Sequence, residues 1–127
     1  MNKYAELSTG LQHIGIPVSD LKRSIAFYER IGFSPALVSE NEGVSVAFLK
    51  LGTLVLELYQ NGLATERIGA IDHFAINVTD VDRVHELAKA DQLEIIEEGQ
   101  LPYWENGVKY FTILGPDSEK VEFNQYL

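Results

Sequence analysis

Two histidines and two glutamates recur at corresponding places in the two halves of this 127-residue sequence. His13 opens HIGIPVSDLKR, and His73 opens HFAINVTDVDR sixty residues later. Glu57 lies in VLELY near the end of the first half, and Glu122 lies in KVEFNQY near the end of the second. Imidazole and carboxylate together suit a divalent transition metal such as Zn, Ni, Co or Mn. The residue types therefore predict a metal centre with these four side chains as its ligands.

The halves share more than these four residues, which indicates a duplicated unit. Segments 13–23 and 73–83 have His, Ile, Val, Asp and Arg in common, and FLKLG in the first half corresponds in order to FTILG in the second. The length suits one compact domain and is too short for two independent ones. We predict a single domain over 1–127, with module 1 at about 9–60 and module 2 at about 70–127.

Each half reads as one strand, one helix and three strands. The alternating runs 11–18 and 71–78 predict half-buried strands, and Asp20 and Asp80 are candidate N-caps of the helices that follow. Asn106-Gly107 predicts a two-residue hairpin before the strand at 108. Further strands are predicted at 35–38, 44–51, 54–59, 93–97, 108–114 and 121–126.

Alternation along these strands places the four polar residues on one face of each module. His13 points away from Ile14, and Glu57 points away from the leucines on either side of it. His73 and Glu122 repeat this arrangement in the second half. Since Gly15 and Ala75 sit beside the histidines, the face has room for a ligand. Tyr59, on the face of Glu57, and Trp104, near the predicted hairpin, are candidate substrate-binding residues.

Composition narrows the class of partner. The formal net charge is -9 and the ten Lys and Arg residues form no basic stripe, which excludes nucleic acid as an expected partner. There is no cysteine, no apolar run of membrane-spanning length and no signal-like segment. We therefore expect a cytoplasmic protein that contacts neither nucleic acid nor a membrane.

The segments HIGIPVSDLKRSIAFYERIGF, VLELY, DHFAINVTDV and GPDSEKVEF resemble the vicinal oxygen chelate superfamily, also called the glyoxalase/bleomycin resistance protein/dioxygenase superfamily. The likeness covers nearly the whole chain. It implies an α+β fold in which two βαβββ modules form curved, mostly antiparallel mixed sheets. It also implies a homodimer and a divalent metal, with the His-Glu-His-Glu ligand set of glyoxalase I falling on the four residues named above.

Within the superfamily, the chain is most similar to glyoxalase I (lactoylglutathione lyase)-like proteins. The resemblance implies proton transfer next to a carbonyl, through an enediolate that a metal stabilises, on a hemithioacetal or a similar α-hydroxycarbonyl compound. Glu122 is then the expected base, and Glu57 the second acid-base residue. Pro17 stands where glutathione-using glyoxalases carry an arginine, which argues against glutathione as the thiol.

Two alternatives remain open from the sequence. ENEGVSVAFLKLG is similar to methylmalonyl-CoA epimerase around its proton-abstracting glutamate, which falls on Glu42, although Glu42 also suits a polar hairpin turn. Non-catalytic relatives of the bleomycin-resistance type bind a small molecule or drug without metal, and the acidic charge would suit a cationic one.

Overall fold

The structure, a computed structural model, describes residues 2–127, with the backbone alone for Asn41. Met1, which the predicted domain includes, lies outside the described residues. The chain divides into two compact units, the first ending at Leu63 and the second beginning at Ala64. None of the helices over residues 2–127 has the length and apolar character needed to cross a membrane. The elements are α1 (Lys3–Leu7), β1 (Ile14–Pro17), α2 (Leu21–Arg30), β2 (Ser34–Asn41), β3 (Val44–Leu51), β4 (Leu54–Gln60), β5 (His73–Asn77), α3 (Val81–Ala90), β6 (Ile95–Leu101), β7 (Val108–Leu114) and β8 (Lys120–Tyr126).

Each unit contains one four-stranded mixed sheet. In the first, the strand order is β1-β4-β3-β2, with β1 parallel to β4 and the other neighbours antiparallel. The second repeats this topology as β5-β8-β7-β6, with β5 parallel to β8. This arrangement confirms the predicted α+β fold built from two βαβββ modules.

The two long helices begin in the same way. Asp20 caps α2 by accepting a hydrogen bond from the backbone N–H of Arg23, and Asp80 caps α3 by accepting one from Arg83, both at 3.1 Å. Both N-caps are as predicted, because a short carboxylate satisfies a donor that the first helical turn leaves unpaired.

A second donor at each helix start is satisfied from the last strand of the unit. The Gln60 side-chain oxygen accepts a hydrogen bond from the Leu21 N–H at 2.9 Å, and that of Gln125 accepts one from the Val81 N–H at 2.8 Å. These bonds tie each helix to the strand that carries the candidate glutamate. The duplication therefore extends to contacts that the sequence comparison did not detect.

Burial separates the two faces of the glutamate-bearing strands. Leu56 and Leu58, on either side of Glu57, are fully buried, as is Val121 beside Glu122. Each such side chain contributes about 1.5–3 kcal/mol when buried, so the sheet face opposite the glutamates is fixed as the core. Other core residues are Val18, Leu21, Tyr28, Ala47 and Leu49 in the first unit and Ile76, Val81, Ala88, Phe111 and Ile113 in the second.

The predicted start of the first strand is wrong in both units. The sequence predicted that these strands begin at 11 and 71, but β1 begins at Ile14 and β5 at His73. Ile14 pairs with Leu56, and β4 itself begins only at Leu54, so residue 11 lies beyond the end of its partner strand. The helix α1, capped by Asn2, was not predicted.

The predicted Asn106-Gly107 hairpin is also wrong. Strand β6 continues to Leu101, which pairs with Val108, so a six-residue loop connects β6 and β7. Pro102 has no N–H to extend the ladder, which explains why pairing stops there. The loop contains Trp104 with φ 63° and Gly107 with φ 85°. Trp104 is thus a loop residue held in the left-handed region, and its side chain is 75% exposed.

Candidate metal centre

The first His–Glu pair lies between the edge strand β1 and its neighbour β4. His13 immediately precedes β1, and Glu57 on β4 lies opposite Gly15 in the parallel ladder. The Nε2 atom of His13 is 3.5 Å from Oε1 of Glu57. A Cβ on Gly15 would meet the Tyr59 ring at 3.4 Å and the Glu57 carboxylate at 3.6 Å. The room that glycine provides is therefore filled by these two side chains, and the predicted open space beside His13 is narrower than expected.

The second pair has the same design in the other unit. His73 is the first residue of β5, and Glu122 on β8 lies opposite Ala75. The Nε2 atom of His73 is 3.5 Å from Oε1 of Glu122. Asn124 donates a hydrogen bond from Nδ2 to Oε2 of Glu122 at 2.9 Å, and the Glu122 side chain is only 14% exposed. This carboxylate is the more shielded and the more firmly oriented of the two.

Register explains why the two pairs match. In each unit the histidine stands two residues before the position that pairs with the glutamate, in a parallel ladder. Parallel pairing fixes the separation of the two side chains along the sheet, and a two-residue step keeps both on one face. The predicted ligands of each half are therefore brought together.

The other ring nitrogen of each histidine is occupied. His13 Nδ1 lies 2.9 Å from Oε1 of Gln12, and His73 Nδ1 lies 2.7 Å from Oδ1 of Asp72. Both oxygens are acceptors, so Nδ1 carries the ring proton and donates. The lone pair of each neutral ring is then on Nε2, the atom that faces the glutamate. A hydrogen bond that fixes the tautomer in this way is the usual outer-shell arrangement of a metal-binding histidine.

The donor set and its spacing fit a divalent metal. An imidazole Nε2 with a free lone pair and a carboxylate oxygen 3.5 Å away could both donate electron pairs to one cation placed between them. Two ligands bound to one ion at about 2.1 Å lie roughly 3 to 3.5 Å apart. Within neither unit do the described side chains include a group of three or more His, Cys, Asp or Glu residues that could hold a metal ion alone. Each unit therefore offers two ligands.

A cavity of about 330 Å³ lies beside Glu57 of the first pair. Its lining includes Glu57, Tyr59 and Glu42. Glu42 and Gly43 form the two-residue turn between β2 and β3, with φ 51° and 81°. Glu42 is therefore a turn residue, as one interpretation predicted, and it also lines the cavity beside Glu57. Its role as a base stays a prediction.

A cavity of about 350 Å³ adjoins the second pair. His73 and Glu122 line it, together with Trp104 from the β6–β7 loop. Each candidate substrate-binding aromatic thus lines the same cavity as the glutamate of its own unit, Tyr59 with Glu57 and Trp104 with Glu122.

An ion-pair network behind His73 was missed by the sequence analysis. Lys120 Nζ lies 3.1 Å from Asp72 Oδ1 and 2.9 Å from Glu97 Oε1, and the Lys120 side chain is only 12% exposed. The network holds the carboxylate that orients His73. Alternation along β8 does place Lys120 on the face of Glu122, but nothing in the sequence identifies Glu97 on β6 as its partner.

The same contacts shift two pKa values. Hydrogen bonds from His73 and Lys120 hold the pKa of the Asp72 carboxyl below its ordinary value of 3.8. Hydrogen bonds to Glu97 and Asp72 raise the pKa of the Lys120 ammonium above its ordinary value of 10.5. Both groups are therefore charged over the whole neutral range.

Replacing Lys120 by Met is expected to destabilise the metal-free protein in a pH-dependent way. The lowered pKa of Asp72 means that its stabilising contribution is present above its unfolded value of 3.8 and is lost as pH falls through the folded value. The raised pKa of Lys120 means that its contribution is present below 10.5 and is lost as pH rises through the folded value. Urea unfolding across this range should show a difference from wild type that is largest near neutral pH and shrinks at both extremes. Lys50→Met, at an exposed position of β3, serves as the control. If Lys120→Met lowered the free energy of unfolding as much in strong acid as at neutral pH, the ion-pair network would be contradicted.

Replacing Asp72 by Asn is expected to weaken metal binding while preserving the shape of the residue. The amide cannot match the charge that the carboxylate presents to the His73 Nδ1–H, and losing such an outer-shell partner typically costs about 10–100-fold in metal affinity. Zinc titration against a chelator of known affinity measures the loss. Imidazole ¹⁵N shifts of His73 in metal-free protein should show a weakened Nδ1–H bond. Asp82→Asn, at an exposed position of α3, should change neither the zinc affinity nor the His73 shifts. An unchanged His73 spectrum in Asp72→Asn would exclude the role of Asp72 in orienting His73.

Comparison with known proteins agrees with this architecture. The family model described as the glyoxalase/bleomycin resistance protein/dioxygenase superfamily matches residues 10–123. The Bacillus subtilis protein YwbC, whose function is uncharacterised, is 29% identical over 124 residues, covering 91% of this chain and 96% of its own length.

Two kinds of solved structure share the fold. Fosfomycin resistance protein FosX from Listeria monocytogenes is 21% identical with a TM-score of 0.75, and the match covers 95% of this chain and 96% of FosX. A FosX variant has been crystallised with Mn(II) and 1S,2S-dihydroxypropylphosphonic acid. Lactoylglutathione lyase from Agrobacterium tumefaciens is 21% identical with a TM-score of 0.73, covering 94% of this chain and 95% of the lyase. With the family model spanning most of the sequence, the chain belongs to the glyoxalase/bleomycin resistance protein/dioxygenase superfamily, as its motifs predicted.

Proposed function

We propose that this chain is a metal-dependent lyase or isomerase of the glyoxalase I type, acting on a hemithioacetal or a similar α-hydroxycarbonyl compound. The observation that carries the proposal is the repeated His–Glu pair, with 3.5 Å between Nε2 and Oε1 in both units and each Nδ1 already bonded. The lactoylglutathione lyase among the structural relatives and the Mn(II) in the FosX variant support the same class.

Each pair would supply two of the four protein ligands, His13 with Glu57 and His73 with Glu122. A divalent ion held there would act as a Lewis acid toward a substrate carbonyl oxygen. The Nδ1 bonds to Gln12 and Asp72 keep the rings in the tautomer that binding needs. The ligands belong to different units of the fold, from one chain or from the two chains of the homodimer that we expect.

Glu122 would take the proton from the carbon next to the carbonyl. Its Oε2 is held by Asn124, and its side chain is largely shielded from solvent, both of which favour a fixed base. Glu57 is twice as exposed, at 29%, and would return the proton to the neighbouring carbon. Proton transfer between adjacent carbons needs either two carboxylates, one at each carbon, or one carboxylate that reaches both carbons.

An epimerase-like reaction is a second candidate, favoured by the position of Glu42. That carboxylate lines the cavity shared by Glu57 and Tyr59. It would serve as a base that is not itself a ligand, in which case proton removal and return would occur at a single carbon.

The deciding experiment measures metal content and turnover on the same sample. Chelated protein is reloaded with Ni, Zn, Co or Mn, its metal-to-chain ratio and molar mass are determined, and hemithioacetals of methylglyoxal with several thiols are offered. The proposal expects metal-dependent conversion with at least one thiol. Metal binding without turnover on any hemithioacetal would refute the glyoxalase-type reaction, and failure to bind any of the four metals would refute the metal centre and leave a small-molecule-binding protein.

A further inference from the structure

We propose that the cavity beside His73 and Glu122 binds an uncharged aromatic or apolar group of the substrate against Trp104, and that it selects against anionic groups. This inference rests on the proposed function, because it concerns the substrate of the same site.

One wall of the cavity is apolar. Leu101, Tyr103, Trp104, Val108 and Tyr110 line it from β6, β7 and the loop between them. Trp104 and Tyr103 are 75% and 58% exposed. Exposed aromatic side chains grouped at a cavity favour ligand binding, because a ligand that covers them removes apolar surface from water.

The backbone of Trp104 supports a binding role rather than simple packing. Its φ of 63° lies in the left-handed region, which is costly for a bulky side chain and tends to persist at ligand-binding sites. The indole makes an edge-to-face contact with Tyr126 at 5.9 Å, which orients the ring without burying it. The ring therefore stays available to a ligand.

Charge decides which ligand fits. The cavity is lined by three carboxylates, from Asp72, Glu97 and Glu122, against one ammonium, from Lys120. The carboxylates therefore outnumber the ammonium by two. Lys120 already bridges Asp72 and Glu97, so it has no unpaired charge to offer an anion.

The first-unit cavity offers an anion no better partner. Its described lining contains Glu42 and Glu57 and no Lys or Arg. Away from the metal, an anionic substrate group in either cavity would lose its hydration without gaining an unpaired Lys or Arg as a partner, and that exchange is unfavourable. A thiol or substituent without charge avoids this cost and gains the aromatic contact.

A wider recess adjoins this cavity. It has a volume of about 520 Å³, shares Leu101 and Trp104 with the substrate cavity, and is otherwise lined by Gln100 of β6, by residues of the β6–β7 loop and by Leu127. A substituent longer than one ring could therefore continue past the indole.

Trp104 is the only tryptophan in the sequence, so tryptophan fluorescence reports on this cavity and on the recess that shares Trp104 with it. The zinc-loaded protein is titrated with benzamide, benzenesulfonate and benzyltrimethylammonium, which present one ring with no charge, a negative charge and a positive charge. We expect saturable change in Trp104 emission with benzamide and at least about tenfold weaker binding of benzenesulfonate. Equal or tighter binding of benzenesulfonate, or tighter binding of benzyltrimethylammonium than of benzamide, would overturn the proposal.

Repeating the benzamide and benzenesulfonate titrations on chelated protein separates this inference from the metal centre. Protein that takes up no zinc yet still prefers benzamide would refute the proposed function and retain the ligand class. Protein that binds zinc without that preference would refute the ligand class alone.

Variants test whether the indole makes the contact. By isothermal calorimetry, Trp104→Ala should weaken benzamide binding about fivefold, and Trp104→Phe should keep it within about twofold of wild type. Tyr4→Ala, which removes an aromatic ring of similar exposure from α1, should have no effect. Unchanged benzamide affinity in Trp104→Ala would place the ligand elsewhere.

Discussion

Replacing Glu122 by Gln is expected to lower kcat by about 10²–10⁴-fold, the range that a positioned general base contributes. The amide is nearly the same size, can still accept at one oxygen, and cannot take up a proton from carbon. Asn124 and the strand register would hold it in place. Steady-state kinetics at saturating metal measure the loss on whichever hemithioacetal the wild type converts.

The result has meaning only if the variant is folded and loaded. Thermal unfolding should match wild type within a few degrees, because Glu122 lies on the face opposite the core residues Val121 and Phe123, and metal content should be determined on the assayed sample. Glu42→Gln is the discriminating companion. Loss of turnover in Glu42→Gln with activity retained in Glu122→Gln would make Glu42 the base and refute the role assigned to Glu122.

The two His–Glu pairs could be predicted because they depend on short-range rules. Alternation along a strand decides the face of Glu57 and Glu122, and the internal repeat shows that each histidine has a glutamate at a matching place. Parallel pairing of the first and last strands of a unit then brings the side chains together. Each of these steps uses only the residue types, the two-residue period of a strand and the order of the strands along the chain.

The surroundings of the pairs depend on long-range pairing and could not be predicted. Glu97 reaches Lys120 because β6 and β8 both flank β7, an arrangement set by the whole sheet. The position of Trp104 follows from where the β6–β7 ladder ends, and the Asn106-Gly107 signal misplaced that end. Sequence patterns identify strands more reliably than the loops that close them.

Duplication produced equivalent pairs with unequal neighbours. His13 is oriented by the neutral amide of Gln12, and His73 by the charged carboxylate of Asp72. A carboxylate partner makes the imidazole a stronger donor to a metal than an amide does. We therefore expect the second unit to contribute more to metal affinity than the first, which can be tested by removing each histidine in turn.

His73→Ala is expected to lower zinc affinity by more than about 100-fold, because losing an outer-shell partner alone typically costs 10–100-fold. His13→Ala should lower it by a smaller factor. His85→Ala is the matched control. This third histidine lies on α3, outside the lining of both cavities, where its Nε2 is 2.5 Å from Oε2 of Glu98 on β6 and its ring packs on Phe111.

Competition against a chelator of known affinity measures all three variants, with circular dichroism to verify that each is folded. A loss of zinc affinity in His85→Ala as large as that in His73→Ala would show a general effect of stability rather than ligation. Equal losses for His13→Ala and His73→Ala would leave the metal centre in place and refute the unequal contributions of its two halves. Unchanged affinity in both would mean that zinc binds elsewhere, because a metal that depends on these pairs cannot lose a neutral imidazole donor without weaker binding.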